Sequence, residues 1–160
     1  RARLFDFEGA GWSHSALAAA YCVASFCSCW CLARLPDGMR EKMYSAYVDE
    51  HKVARSETFM RASVIAGTFL TLWGMRRSSG LVEENPILPP VDRSVNTARQ
   101  YLLLRSEWLA GLSNHLPAVA QFGNLLNDAI LARFPDTAVA EYPAFAAITR
   151  ASDYAGDKAV

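Results

Sequence analysis

The residues best suited to chemistry are four cysteines and three histidines. Cys22, Cys27, Cys29 and Cys31 crowd into one apolar stretch. Thiolates at such density suit a soft metal or a redox pair, but the spacing is not that of paired CxxC motifs. On a helix turning 100° per residue, Cys22 and Cys29 lie about 20° apart and Cys27 and Cys31 about 40° apart, and the two pairs face nearly opposite ways. Four thiolates so placed do not converge on one ion. Cys27 and Cys31 are neighbours at i and i+4, yet their parallel Cβ vectors disfavour a disulfide. Small, soft packing residues are the simpler reading. His14, His51 and His115 stand in three separate segments and belong to no HExxH, His/Cys or triad-like grouping. Asp49 and Glu50 fit a solvated helix face. No phosphate loop, GxGxxG or GxSxG is present. These residues predict no catalytic, cofactor or metal site, and a chain that is not an enzyme.

The elements that would carry these residues are helical. Between Glu8 and Arg34 there is no Asp, Glu, Lys or Arg, a run longer than the roughly 20 apolar residues that cross a bilayer. It also exceeds the usual core of a secretory signal, and bulky Trp30 lies near its end. The expected first span is a helix over residues 13–35, closed by Pro36-Asp37-Gly38. Met39, Met43 and Tyr47 then recur at helical spacing among charged residues, predicting an amphipathic connector over 38–57. It should continue without a break into a second span over 58–75, with Arg61 snorkelling and Arg76-Arg77 at the far end. Trp12, Trp30 and Trp73 near the span ends suit an interfacial belt.

Residues 78–92 hold three prolines and a glycine and read as an extended linker. Beyond them, amphipathic helices are expected over about 93–112 and 117–133, with a short one near Pro143. They form a lobe over 93–155, held by Leu102, Leu109, Phe122, Leu126 and Ile130, with Gln121, Asn124 and Asp128 on the polar side. Residues 156–160 form a tail. The fold class is therefore all-α: a membrane protein with one or two transmembrane helices in a hairpin over 1–77, plus a small extramembrane lobe.

Two sets of residues stand out as contact points. Ala16, Ala20, Ala24, Cys27 and Cys31 share one face of the first helix, and Ser63, Gly67, Thr71 and Gly74 share one face of the second. Small residues let helices approach closely where the hydrophobic effect is weak, so both stripes are expected to pack against protein. Arg34, Arg76 and Arg77 at the span ends are expected to meet lipid head groups, cardiolipin in a mitochondrial setting. The connector and the outer flanks carry equal numbers of basic residues, so the positive-inside rule leaves orientation open.

The net charge is zero, which disfavours a nucleic-acid partner. The halves differ: residues 1–80 hold ten Lys/Arg and seven Asp/Glu, and residues 81–160 hold six and nine. The first residue is Arg1 rather than Met, as expected of a processed chain or a part of a longer one. The layout of one or two spans, a small helical lobe and no catalytic motif resembles that of a supernumerary subunit of a mitochondrial inner-membrane respiratory complex. That resemblance implies a non-catalytic structural or assembly subunit, with other subunits and lipids as partners. Accessory subunits of ATP synthase or of a thylakoid photosystem share the layout, and a soluble helical adaptor is the rival class.

Overall fold

The computed structural model describes residues 14–24, 33–50, 56–88 and 96–139, and the side chain of Arg77 lies outside the described residues. Within them the chain is all-helical. Five α-helices follow in order: α1 (Ser15–Val23), α2 (Met39–Glu50), α3 (Glu57–Ser78), α4 (Ala98–Ala110) and α5 (Pro117–Arg133), with a 3-10 turn over Ser79–Leu81. No helix of the described residues is long and apolar enough to cross a membrane.

The first expected helix is much shorter than 13–35. The His14 side chain accepts the Ala16 N–H at 3.1 Å and caps its start. The helix ends after nine residues, and Ala33 and Arg34 are not helical. Its last turn would leave carbonyls without intrahelical partners. Two side chains of α4 donate to carbonyls there: Trp108 Nε1 reaches Val23 O at 2.8 Å and Arg105 Nη1 reaches Ala24 O at 3.2 Å. The guanidinium also complements the partial negative charge of a helix C-terminus. Both donors are more than eighty positions away in sequence, so the stop signal is tertiary. Phe26, Cys27, Cys29, Trp30 and Cys31 lie outside the described residues.

The connector and second span do not form one continuous helix. Gly38 takes a left-handed φ of 71° before α2, a conformation glycine adopts without a Cβ penalty. The half-buried Met39, Met43 and Tyr47 mark the inner side of α2. Ser56 Oγ then accepts the Phe59 N–H at 3.1 Å and caps a new helix. The Tyr47 and Phe59 rings stack at 6.5 Å. On one straight helix, twelve residues would separate them by about 18 Å, so the chain folds back between them. Tyr47 Oη also donates to Ser15 O at 3.1 Å, tying α2 to α1.

The proline-rich segment is bound to the fold over its described part. Asn85, at φ 49°, uses Oδ1 to accept the Arg99 N–H at 3.0 Å. Leu88 N donates to Asn96 O and Ala98 N to Pro86 O. The Arg99 guanidinium donates to Val82 O and Glu83 O, each at 2.8 Å, and lies 3.8 Å from the centre of the Phe134 ring. These contacts fasten the start of α4, where Thr97 and Gln100 form a reciprocal capping box. That box starts the helix at Ala98 rather than near 93.

Helix α4 is the centre of the molecule. Every residue from Tyr101 to Ser106 is buried, as are Trp108 and Leu109. It packs on α3 to one side and α5 to the other. One core joins Ala20, Val64 and Met75 of the N-terminal half to Tyr101, Leu109 and Ile130 of the C-terminal half. Among the described residues the packing therefore runs continuously from α1 and α3 into α4 and α5.

Helix α5 spans the expected residues, with Pro117 in its first turn. Its inner face differs from the expected one. Leu102, Leu109 and Ile130 are buried, but Phe122 is 48% exposed. Gly123 is the reason: a Cβ there would lie 2.4 Å from Ala110 N and 2.8 Å from Leu109 Cβ. With no side chain at Gly123, the α5 backbone rests directly on Leu109 and Ala110 of α4, and this turns the neighbouring Phe122 outward. The short helix expected near Pro143 lies outside the described residues.

Candidate docking surface

Helix α3 has two sides of opposite character. Ser63, Val64, Gly67, Thr68, Thr71, Gly74, Met75 and Ser78 are buried. Most of these are small or hydroxylated. The hydroxyls of Ser63 and Thr68 donate to the carbonyls of Phe59 and Val64, each at 2.8 Å, one turn back on the same helix. The other side carries the large apolar residues: Ile65 at 49% exposure, Phe69 at 65%, Leu72 at 40% and Trp73 at 44%. At 100° per residue these four, with exposed Arg61 and Arg76, fall in one sector of about 120°. The usual arrangement buries large apolar side chains and leaves polar ones to water. Here it is inverted.

The inversion has a steric cause. Helix α1 meets α3 through alanines: Ala16, Ala20 and Ala24 are buried. A Cβ at Gly67 would stand 2.9 Å from Ala24 Cβ and 3.4 Å from the Trp108 ring. Ala16, Ala20 and Ala24 of the first stripe thus pack with the second stripe inside this chain, and Ala24 meets Gly67 at a separation that admits no larger side chain, while Cys27 and Cys31 lie outside the described residues. With the centre of that face taken by close packing, Ile65, Phe69, Leu72 and Trp73 are left on the outside. The same angular arithmetic that groups Ser63, Gly67, Thr71 and Gly74 also groups Ile65, Phe69 and Leu72 on the opposite side, so the outer stripe was legible in principle. Its exposure was not, because a membrane reading assigns both sides an apolar environment.

Of the three arginines expected at head groups, Arg34 is engaged within the chain. Its Nη2 donates to both carboxylate oxygens of Glu107, at 2.6 and 2.9 Å. Arg76 is exposed at the end of the α3 stripe. Arg77 belongs to α3 by its backbone, and its side chain lies outside the described residues.

The remaining polar residues are dispersed. His14 is a helix cap, His115 is exposed in the turn between α4 and α5, and His51 lies outside the described residues. Burial pushes the Cys22 thiol above its ordinary 9.0, which disfavours the reactive thiolate. The phenols of Tyr44 and Tyr47 are raised as well, first by burial and then by the nearby Cys22 charge. Among the described residues no group of three or more His, Cys, Asp or Glu is placed to hold a metal ion. A cleft of about 430 Å³ opens between α1, α2, α3 and α4, with Val23, Met60 and Trp108 in its wall and Arg40, Glu41 and His115 beside them. Its charges are of both signs and converge on no single point of chemistry. The α3 stripe is the more distinctive surface.

No family model matches this chain, and neither a curated protein nor a solved structure that matches it was found.

Proposed function

We propose that this chain is a non-catalytic structural subunit that docks on a larger assembly through the outer face of α3. The observation that carries this reading is the inverted burial of α3, with Ile65, Phe69, Leu72 and Trp73 turned outward and small residues turned in. A contiguous apolar patch on a folded surface marks a contact site. Each of the four side chains is already about half buried, so covering the rest contributes roughly 1 kcal/mol apiece. The sum is comparable to the freedom lost on association. Such a face suits a subunit held among several contacts better than an isolated pair.

The layout of charged and apolar segments supports a host in an organelle membrane, with a respiratory complex in first place. Packing by small residues with large ones turned away from the bundle is also how helices associate in lipid.

The test is incorporation. Full-length chain carrying Phe69→Ser and Leu72→Ser is expressed in the source cells and followed by native gel after mild detergent extraction. We expect the isolated variant to remain folded by circular dichroism, at a cost of about 1 kcal/mol for each half-buried side chain lost, yet to be lost from the high-mass assembly. A variant that incorporates like the wild type overturns the docking role.

A further inference from the structure

Building on that docking role, we infer that the partner element covering α3 is an amphipathic helix of another protein, with carboxylates at both ends of its apolar seam. The outer face of α3 supplies two independent indications. The first is spacing. Thr58, Ala62, Ile65, Phe69, Leu72, Arg76 and Ser79 succeed one another at alternating intervals of four and three, and all lie outside the buried face. Any line along one helix face follows that alternation, and with Ile65, Phe69 and Leu72 at its centre it suits a second helix whose side chains enter the gaps. An extended strand, with its period of two, would not match it.

The second indication is charge. Arg61 and Arg76 stand on the exposed sector at the two ends of the apolar run, about 22 Å apart along the axis at 1.5 Å per residue. Neither makes an ion pair with a described residue. The acidic residue of α3, Glu57, sits at its first position beyond the seam, where the helix dipole favours it. A second copy of this chain paired through α3 would set Arg61 against Arg76 if antiparallel, and each arginine against its own counterpart if parallel. Like charges meet at both ends in either orientation. The outer face of α5 in a second copy fits no better: Ala118, Phe122, Leu125, Ala129 and Ala132 also follow a four–three spacing, but that seam holds no carboxylate, and Arg133 beside its end is itself paired with Glu83 at 2.8 Å. A foreign helix whose seam ends in Asp or Glu satisfies both arginines, and its rim pairs set register and orientation more than affinity.

The experiment uses the full chain and a fluorescein-labelled synthetic amphipathic helix of about five turns. Its seam is Leu/Ala in four–three spacing, with Glu at both ends or, in the matched control, Lys at both. Binding is read by anisotropy. An exposed ion pair changes affinity about threefold, so the Glu-ended peptide should bind about tenfold more tightly than the Lys-ended one in low salt. The ratio should shrink as salt rises and invert in Arg61→Glu/Arg76→Glu. Equal binding of the two peptides, abolished by Phe69→Ser/Leu72→Ser, overturns the acidic-ended partner and leaves the docking face standing. Binding only to vesicles containing anionic phospholipid overturns the helix partner in favour of a lipid surface. A dimer in sedimentation equilibrium that Phe69→Ser dissolves overturns it in favour of a second copy. Failure of the docking role itself is read separately, by normal incorporation of the Phe69→Ser/Leu72→Ser chain into its assembly.

Discussion

Gly67 should be the most informative single position in the α1–α3 contact. An alanine there gains helix propensity, by about 1 kcal/mol in a helix interior. Its methyl group, however, would stand 2.9 Å from Ala24 Cβ and 3.4 Å from the Trp108 ring, whereas carbon atoms prefer about 3.5–4.0 Å. The 2.9 Å neighbour is a methyl fixed to backbone and cannot swing aside. Overpacking of this kind costs about 1–3 kcal/mol, so Gly67→Ala should be neutral to about 2 kcal/mol destabilising. The decisive measurement is a double-mutant cycle with Ala24→Gly. Ala24 is the C-cap of α1, so glycine there forgoes little helix propensity and mainly removes one buried methyl, about 0.8 kcal/mol. In the double variant the new methyl at 67 takes the space vacated at 24. We expect a favourable coupling of about 1 kcal/mol or more by urea unfolding followed at 222 nm. Additive effects, with Gly67→Ala alone stabilising by the full propensity gain, would refute the placement of α1 on α3.

Three further outcomes follow from the same contacts. Trp108→Phe keeps a large ring but removes the donor to Val23 O, and should lower stability by about 1–2 kcal/mol, with exchange of the α1 amides quickened more than that of α5. Thr71 is fully buried and its Oγ1 has no partner among the described residues, so Thr71→Val should hold or raise the urea midpoint, because an unsatisfied hydroxyl is exchanged for a methyl. Cys22 is held above its ordinary 9.0 by burial, so its deprotonation favours the unfolded chain. In a variant with Cys27, Cys29 and Cys31 changed to serine, stability should be level at neutral pH and decline as pH rises past about 9, more steeply than in the additional Cys22→Ala variant. A parallel pH dependence of the two would show that the thiol is not shielded.

Local signals carried part of this architecture. The all-helical class, the extent of α5 and the turn at Pro36-Asp37-Gly38 are written in prolines, glycines and spacing that act within a few residues. The small-residue stripes of α1 and α3 were legible for the same reason, since angular position on a helix depends on sequence separation alone. Spacing names a face but not what covers it. Whether Ala20 and Gly67 meet another protein or each other's helices depends on the course of the chain between them, and that is settled by Tyr47 stacking on Phe59 and bonding to Ser15. The end of α1 is likewise tertiary, because apolar residues continue past Val23 and nothing local halts a helix there. Helix α1 ends where Trp108 and Arg105, brought over by α4, donate to Val23 and Ala24. Phe122 gives the same lesson in reverse. Its type and period assign it to a core, but the close approach at Gly123 rotates it to the surface. Hydrophobic pattern orders residues by the burial they favour, while the backbone separation reached in the folded chain decides which of them have room to be buried.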